Sequence, residues 1–258
     1  MIETTNSSPG TVKGALVKAY RYSFRRFFRL LYWALPGLLL SIGLVIALTI
    51  YADGIITEKA ADAVIKFLNL FILSPILIAV HRDVISRENF EVNYFATFLK
   101  SYYFKFICLL FMLVFSAAIP IVVGVFLLSY AGIQNVENSL FVILLLTILF
   151  IYLWARVSVS MPLKAAGQSG WMLRAWKMTS GNGLLISVSW FAANILPSIC
   201  LGIINNLPSS AYSNWALTTI AIGAEQFAAF LYLIINASFL SFVYVSVNVK
   251  QDDITVGS

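Results

Sequence analysis

Long uninterrupted apolar runs dominate the pattern of hydrophobic and polar positions along this chain. A helix that crosses the hydrocarbon core of a bilayer needs about 20 mostly apolar residues. Runs of this length predict membrane-spanning helices at about 30–50, 106–130, 139–157, 183–204 and 227–247. Because the runs are continuous and do not alternate with polar residues, they exclude the strands of a transmembrane β-barrel. The pattern therefore predicts an all-α fold, a polytopic transmembrane helical bundle.

A further span is predicted at about 63–80, where polar residues and a proline interrupt the apolar run. It contains Lys66 and Asn69 and is interrupted by Ser74 and Pro75. Lys66 lies near one end, where a long side chain can reach the interface. Proline is tolerated in membrane helices because neighbouring groups form hydrogen bonds with the freed backbone. Including this run gives six spans, a number that agrees with the distribution of charge.

Composition and charge support this architecture and predict an orientation. Of the 258 residues, 60% are hydrophobic and 11% are charged, whereas an average soluble domain has about 25% charged residues. With six spans, fifteen of the 17 lysines and arginines fall on one side of the membrane. Because cytoplasmic loops carry the excess of these residues, we predict that both termini are cytoplasmic. The net charge of +6 then reflects topology and contacts with anionic headgroups, not binding to nucleic acid.

The residues before the first span have the pattern of an amphipathic helix, with apolar and basic side chains on opposite faces. The apolar face has Leu16, Tyr20, Phe24, Phe27 and Leu31, and the basic face has Lys18, Arg21, Arg25 and Arg29. This pattern is typical of a helix in the membrane interface, with its cations against anionic lipid. The alternative is that these residues simply begin the first span on the cytoplasmic side. The two interpretations are compatible.

Aromatic and basic residues also precede the third and fifth spans. Phe98 and Lys100 come before the third, and Trp176 and Lys177 come before the fifth. We therefore predict basic amphipathic interfacial helices before spans 1, 3 and 5. The recurrence suggests three repeated units, each an interfacial helix followed by a transmembrane hairpin. Prolines occur within the odd-numbered spans, at Pro36, Pro120 and Pro197.

Polar residues inside spans are the usual sign of a transport path. The candidates here are Lys66, Asn69, Asn194, Glu225 and Asn236. The two ionisable residues lie near the outer ends of their spans, away from the midplane. The asparagines can join neighbouring helices by hydrogen bonds. A small-solute transporter or channel is therefore the second interpretation.

The sequence offers little catalytic chemistry. His81 is the only histidine, and a catalytic triad or zinc site needs more partners at suitable spacing. Cys108 and Cys200 lie in separate apolar runs, which predicts neither a disulfide nor a metal site. We expect no enzymatic activity and no cofactor. A lipid-modifying enzyme, the third interpretation, would require His81 to meet the carboxylates within 83–91.

One pair of segments resembles a known family. The fourth span ends in Ala-Arg-Val-Ser-Val-Ser-Met-Pro at 155–162, and Arg-Ala-Trp-Lys-Met-Thr-Ser-Gly-Asn follows at 174–182. This resembles the YciC-like bacterial multi-pass membrane proteins and the related membrane domain of glycerophosphoryl diester phosphodiesterases. The matching positions are Arg156, Pro162, Trp176, Thr179, Gly181 and Asn182. The resemblance implies a six-span protein of the bacterial inner membrane, and no catalytic residue carries over. The residues after Pro162 lack the acidic residue often found there.

These observations predict a single transmembrane domain over 12–249, with a flexible N-terminal tail at 1–11 and a cytoplasmic C-terminal tail at 250–258. The expected function is that of an accessory, membrane-organising or lipid- or partner-binding protein. Its expected partners are membrane lipids, whose anionic headgroups would meet the basic residues at the cytoplasmic face.

Overall fold

The computed structural model describes residues 12–51, 58–86, 94–130, 136–168, 171–205 and 215–256. The regular structure in these ranges is entirely helical. The elements are α1 Val12–Tyr51, α2 Glu58–Ser86, a 3-10 helix at Tyr94–Leu99, α3 Ser101–Tyr130, α4 Val136–Ser158, α5 Ser160–Ala165, α6 Trp171–Met178, α7 Gly183–Asn205 and α8 Trp215–Val256. The predicted tail 1–11 lies outside the described residues, and residues 250–256 continue α8 as a helix.

Within the described residues, five helices are long and apolar enough to cross a membrane. These stretches are Gly14–Leu48, Ala63–Ser86, Leu144–Ala165, Gly183–Ile204 and Trp215–Asn248. The prediction of an all-helical, multi-pass membrane architecture is confirmed at this level. The predicted third span lies in α3, which is not among these five helices. Its apolar stretch Ser101–Phe115 is shorter than the length needed to cross a membrane.

The first helix differs from the sequence prediction in its length. α1 is one helix of 40 residues, about 60 Å long at 1.5 Å per residue. The amphipathic segment is therefore continuous with the first span and does not form a separate helix. The physical reason is that no glycine or proline separates the two parts, since the segment between Ala15 and Ala34 consists of residues that a helix accommodates.

Helix α8 is central to the bundle and packs against α1, α2 and α7. Small residues allow this close approach, because Ala237, Ser238 and Ser241 are almost completely buried. The two serine hydroxyls donate hydrogen bonds to carbonyls of their own helix, at Ile235 and Ala237. Each polar side chain is thereby satisfied without a break in the helix.

Two helices contain a proline whose freed carbonyl is bonded by a tyrosine from another element. Proline has no N–H, so the carbonyl four residues earlier loses its helical donor. For Pro75 this carbonyl belongs to Phe71, which lies 3.1 Å from the Tyr103 hydroxyl. For Pro197 it belongs to Ala193, which accepts a 2.9 Å hydrogen bond from Tyr20. These bonds join α2 to α3 and α7 to α1.

The predicted segment before the third span is a 3-10 helix packed into the protein. Tyr94 is 1% exposed, and its hydroxyl donates to the carbonyl of Ile72. Its ring lies against Gly37, where any Cβ would overlap it. Burial raises the pKa of Tyr94 above its ordinary value. This aromatic residue therefore contacts other helices, because glycine on α1 leaves room for its ring.

Candidate functional site

Four cations form an exposed row along the first half of α1. We call Lys18, Arg21, Arg25 and Arg29 the basic stripe, and all four side chains are exposed. They follow one another at intervals of three or four residues, so they lie on one face of the helix. This is the face that the amphipathic pattern predicts.

Arg26, next to the stripe, has a different role. Its Nε lies 4.0 Å from Oδ2 of Asp83, and the Tyr22 hydroxyl donates a 2.5 Å hydrogen bond to the same oxygen. The Asp83 side chain is only 7% exposed. This carboxylate therefore joins α2 to α1 through Tyr22 and Arg26, while the basic stripe faces outward.

An apolar groove lies between α1, α7 and α8. Its walls include Phe24 and Phe27 from α1, Leu196 and Cys200 from α7, and Ala228 from α8. Sequence reasoning did not find this groove, because it depends on how three distant helices are placed against one another. The only local signal was Pro197, which also lines it.

The residues of the family resemblance form a compact structural unit around Arg156. This arginine is 7% exposed. Its Nε donates to Oγ1 of Thr179 at 3.1 Å, and its Nη2 donates to the carbonyl of Trp176 at 2.8 Å. Nη1 donates to the Tyr152 hydroxyl at 3.0 Å. The guanidinium carbon also lies 3.6 Å from the centre of the Trp176 ring, a cation–π contact.

These contacts place the Arg156 charge at the carboxyl end of α6. Carbonyls at a helix C-terminus carry partial negative charge and favour a cation, and Thr179 also accepts from this arginine while donating to Ala175. The unit holds the end of α4 against the turn before α7.

The turn itself contains the next two matching positions. Gly181 has a φ of 79°, a left-handed conformation that favours glycine. The Asn182 carbonyl accepts from the Ile186 amide at 2.9 Å and so belongs to the first turn of α7. Pro162 lies apart, within the short helix α5. The structure therefore brings Arg156, Trp176 and Thr179 together and places the glycine and asparagine where the chain turns.

The predicted polar positions fall into separate places. Asn69 lies between α1, α2 and α8, where the Ser41 hydroxyl is 2.6 Å from Asn69 Oδ1 and 2.7 Å from Gln226 Oε1. Asn69 also donates to Gln226 at 3.3 Å. We call these three residues the polar clasp. Sequence reasoning did not single out Ser41, because a lone serine in an apolar helix gives no distinguishing signal.

Asn194 and Asn236 lie in a second group, around Trp190. The indole N–H donates to Asn236 Oδ1 at 3.1 Å, and Asn194 Nδ2 donates to the Trp190 carbonyl at 2.7 Å. Lys66 is exposed and Glu225 is half-buried. These asparagines bond within and between helices, the arrangement expected for interhelical contacts.

His81 is completely buried, and its Nδ1 lies 2.7 Å from the Ser241 hydroxyl. The same hydroxyl lies 2.9 Å from the Ala237 carbonyl, so it joins the histidine ring to the backbone of α8. Nε2 has no hydrogen-bond partner among the described residues. Asp83 is directed to Tyr22 and Arg26, and the remaining carboxylates of 83–91 lie outside the described ranges.

Comparison with protein-family models, curated proteins and solved structures found no match to this chain. Within the described ranges, no three His, Cys, Asp or Glu side chains are grouped so that they could hold a metal ion. The features available for inferring a function are the basic stripe, the apolar groove and the polar contacts between helices.

Proposed function

We propose that this protein is a non-catalytic, lipid-binding accessory or membrane-organising protein of the bacterial inner membrane. In this proposal the basic stripe binds anionic headgroups at the cytoplasmic face. The observation that supports it is the separation of faces on α1, where Lys18, Arg21 and Arg25 are exposed while Ala15 and Ala19 are completely buried. A helix held in place by its packed face presents its cations in a fixed row. Each cation near an anionic leaflet contributes about 1 kcal/mol.

The proposal includes six spans with both termini in the cytoplasm. α3 has 30 residues and is about 45 Å long at 1.5 Å per residue, enough to cross the hydrocarbon core. With α3 included, the basic residues fall predominantly on one side, as cytoplasmic segments require. We also propose membership of the YciC-like family, supported by the contacts that Arg156 makes with Trp176 and Thr179.

The test compares the lipids that accompany the full-length protein when it is extracted with its surrounding bilayer. In one variant the four stripe residues are replaced by glutamine, which keeps side-chain length but removes charge. The matched control exchanges lysine and arginine at the same four exposed positions, Lys18→Arg, Arg21→Lys, Arg25→Lys and Arg29→Lys, which keeps every charge in place. In the wild type we expect phosphatidylglycerol to be in excess over its fraction in the bulk membrane. The stripe variant should lose about half or more of this excess, since each cation adds to the attraction for anionic headgroups.

The control variant should retain that excess, and raised salt should reduce it in the wild type because exposed charges are screened. Equal phosphatidylglycerol in all three proteins at low salt would overturn the proposed role of the stripe. Folding of each variant is checked by its elution as a single species and its helical circular dichroism.

A further inference from the structure

The basic stripe on α1 lies at the height of the interior of α7, beyond the point where α7 begins. The Tyr20 hydroxyl donates to the carbonyl of Ala193 at 2.9 Å. Farther along the two helices, Phe27 and Cys200 line the same groove, so α1 and α7 run side by side in the same direction. Ala193 lies ten residues after Gly183, the first residue of α7, which is about 15 Å at 1.5 Å per residue. Five residues beyond Tyr20, α1 is therefore level with a point about 20 Å into α7.

Contacts through α8 also place the stripe beside the interior of α7. The Ser238 hydroxyl of α8 lies 3.2 Å from that of Ser23 on α1. Two residues earlier on α8, Asn236 accepts a hydrogen bond from Trp190 of α7 at 3.1 Å. Because α8 runs opposite to α1, Asn236 is level with Arg25, and Trp190 lies about 10 Å into α7. The two routes together place Arg25 about 10–20 Å beyond the start of α7.

The outward faces of the two helices differ at this height. α7 has no charged residue between its ends, and it exposes apolar side chains, with Phe191 54% and Ile195 44% exposed. α1 exposes Arg21 and Arg25. An arginine that faces the hydrocarbon core is costly, and this cost falls where the bilayer thins and where water and headgroups reach the charge.

The exposed residues along α1 follow the order of a membrane interface. Phe28 is exposed among the cations, as in interfacial helices whose apolar side chains enter the acyl region beside the headgroups. After the stripe comes Tyr32, 83% exposed, a residue type favoured at the level of headgroups. The next exposed side chain is apolar, at Leu35. On α7, by contrast, an exposed apolar side chain occurs at Leu184, directly after the helix begins.

A tilt of the whole bundle does not account for this difference in height. The axes of packed helices lie about 8–10 Å apart, whereas Arg25 lies about 10–20 Å beyond the start of α7 along the helix direction. A flat interface that met both points would incline by about 45° or more from its usual position across the helices. Helices in membranes tilt by about 0–40°.

We infer that the protein draws the cytoplasmic headgroup layer inward along α1, so that the bilayer is thinner beside the basic stripe than beside α7. The inference rests on the proposed lipid-binding function and deepens it, because it states what the bound headgroups do to the membrane. Lys18 begins the stripe near the cytoplasmic end of α1, and the cations that follow form a continuous row for headgroups and water. The lipids drawn in are anionic phospholipids, whose phosphate oxygens guanidinium groups bind in pairs.

A pair of spin labels at one height compares the two faces. Phe28 follows Arg25 by three residues and is its neighbour on the helix, and Ile195 is the matched exposed position on α7. Each is replaced by cysteine in a full-length chain with Cys108→Ala and Cys200→Ala, labelled with a nitroxide and reconstituted in vesicles of phosphatidylcholine and phosphatidylglycerol. Electron paramagnetic resonance then measures collisions with a water-soluble nickel chelate.

We expect the nickel collision rate at position 28 to exceed that at position 195 by about threefold or more, because water and headgroups reach the stripe. Oxygen, which concentrates in the hydrocarbon, should show the opposite order. Equally low nickel collision rates at the two positions would overturn the inference.

The dependence on charge separates thinning from a fixed position of the helix. Lys18→Gln, Arg21→Gln and Arg25→Gln, combined in the Phe28→Cys chain, should lower its nickel collision rate to that at position 195, since the headgroups are no longer attracted. Lys18→Arg, Arg21→Lys and Arg25→Lys keep the charges and should keep the rate. Elution as a single species and helical circular dichroism check that each variant is folded. A collision rate that survives neutralisation would contradict the inference.

A second measurement does not depend on labels. A thinner bilayer favours shorter acyl chains, so the wild type is reconstituted in vesicles that contain equal amounts of short-chain and long-chain phosphatidylglycerol. Lipids extracted around the protein by a styrene–maleic acid copolymer should be enriched in the short chains by about twofold, and the neutralised variant should show no preference. If phosphatidylglycerol accumulates around the stripe without this preference, the inference fails and the proposed function stands. If phosphatidylglycerol does not accumulate at all, both fail.

Discussion

Arg156 is a buried cation that bonds a hydroxyl, a phenol and a carbonyl. Its planar fork reaches these groups in different directions while stacking on Trp176, a geometry that lysine cannot reproduce. We expect Arg156→Lys to destabilise the protein by about 2–3 kcal/mol, since hydrogen bonds are lost around a charge that stays buried. Unfolding in mixed micelles measures this difference. Arg174→Lys, at an exposed position, is the control, and equal stability of the two variants would contradict the prediction.

Tyr20 replaces the hydrogen bond that Pro197 removes from α7, and this pairing makes a double-mutant test possible. Tyr20→Phe should cost about 1 kcal/mol, because the Ala193 carbonyl loses its donor. In a Pro197→Ala background the helix regains an N–H for that carbonyl, so the same change should cost less. Tyr32→Phe, at an exposed position, should have little effect in either background. If Tyr20→Phe lowers the free energy of unfolding equally with and without Pro197, the hydroxyl does not replace the hydrogen bond that the proline removes.

At the scale of single elements, hydropathy located the helices but not their ends. α7 spans Gly183–Asn205, almost as predicted from 183–204, because a turn sequence and a charge-free run coincide there. α8 begins at Trp215, well before the predicted 227. The predicted start follows Glu225, which interrupts the apolar run but lies half-buried inside the helix. A charged side chain does not break the hydrogen bonds of a helix backbone, and α1 likewise extends through its charged residues.

The seam between α1 and α8 depends on small side chains, and its tolerance can be tested. Ala19 is completely buried, its carbonyl accepts a hydrogen bond from the Ser23 hydroxyl at 2.8 Å, and the Ser238 hydroxyl of α8 lies 3.4 Å from the same carbonyl. Ala19→Leu should destabilise the protein by about 1–3 kcal/mol, because added methylene groups force the helices apart. Val17→Leu adds bulk to an exposed position of the same helix and should be nearly neutral. Both are compared by unfolding in micelles, and similar losses for the two would contradict close packing at this seam.

At the scale of the whole molecule, the basic stripe could be predicted from spacing along one helix, whereas the groove and the polar clasp could not. Ser41, Asn69 and Gln226 are far apart in sequence and meet only because α1, α2 and α8 pack together. The contacts of the predicted intramembrane asparagines depend on helix packing in the same way. Their residue types indicated contact between helices, but only the bundle shows which side chain each one meets. The three-unit repeat and the lipid contacts stay predictions.

The arrangement of six spans predicts on which side of the membrane each connection lies, and α3 decides the count. If α3 crosses, position 132 after it and Lys100 before it lie on opposite sides, and Lys177 lies on the side of Lys100. Single cysteines are placed by Gly132→Cys, Lys100→Cys or Lys177→Cys in a chain with both native cysteines replaced by alanine. A bulky, membrane-impermeant maleimide, added to spheroplasts, should label only the first variant, while all three should react after the membrane is opened. Labelling of Lys177→Cys alone, or of Lys100→Cys and Gly132→Cys without Lys177→Cys, would mean that α3 does not cross while α4 does. The chain would then have five spans, and its termini would lie on opposite sides, which would separate the C-terminal residues from the basic stripe.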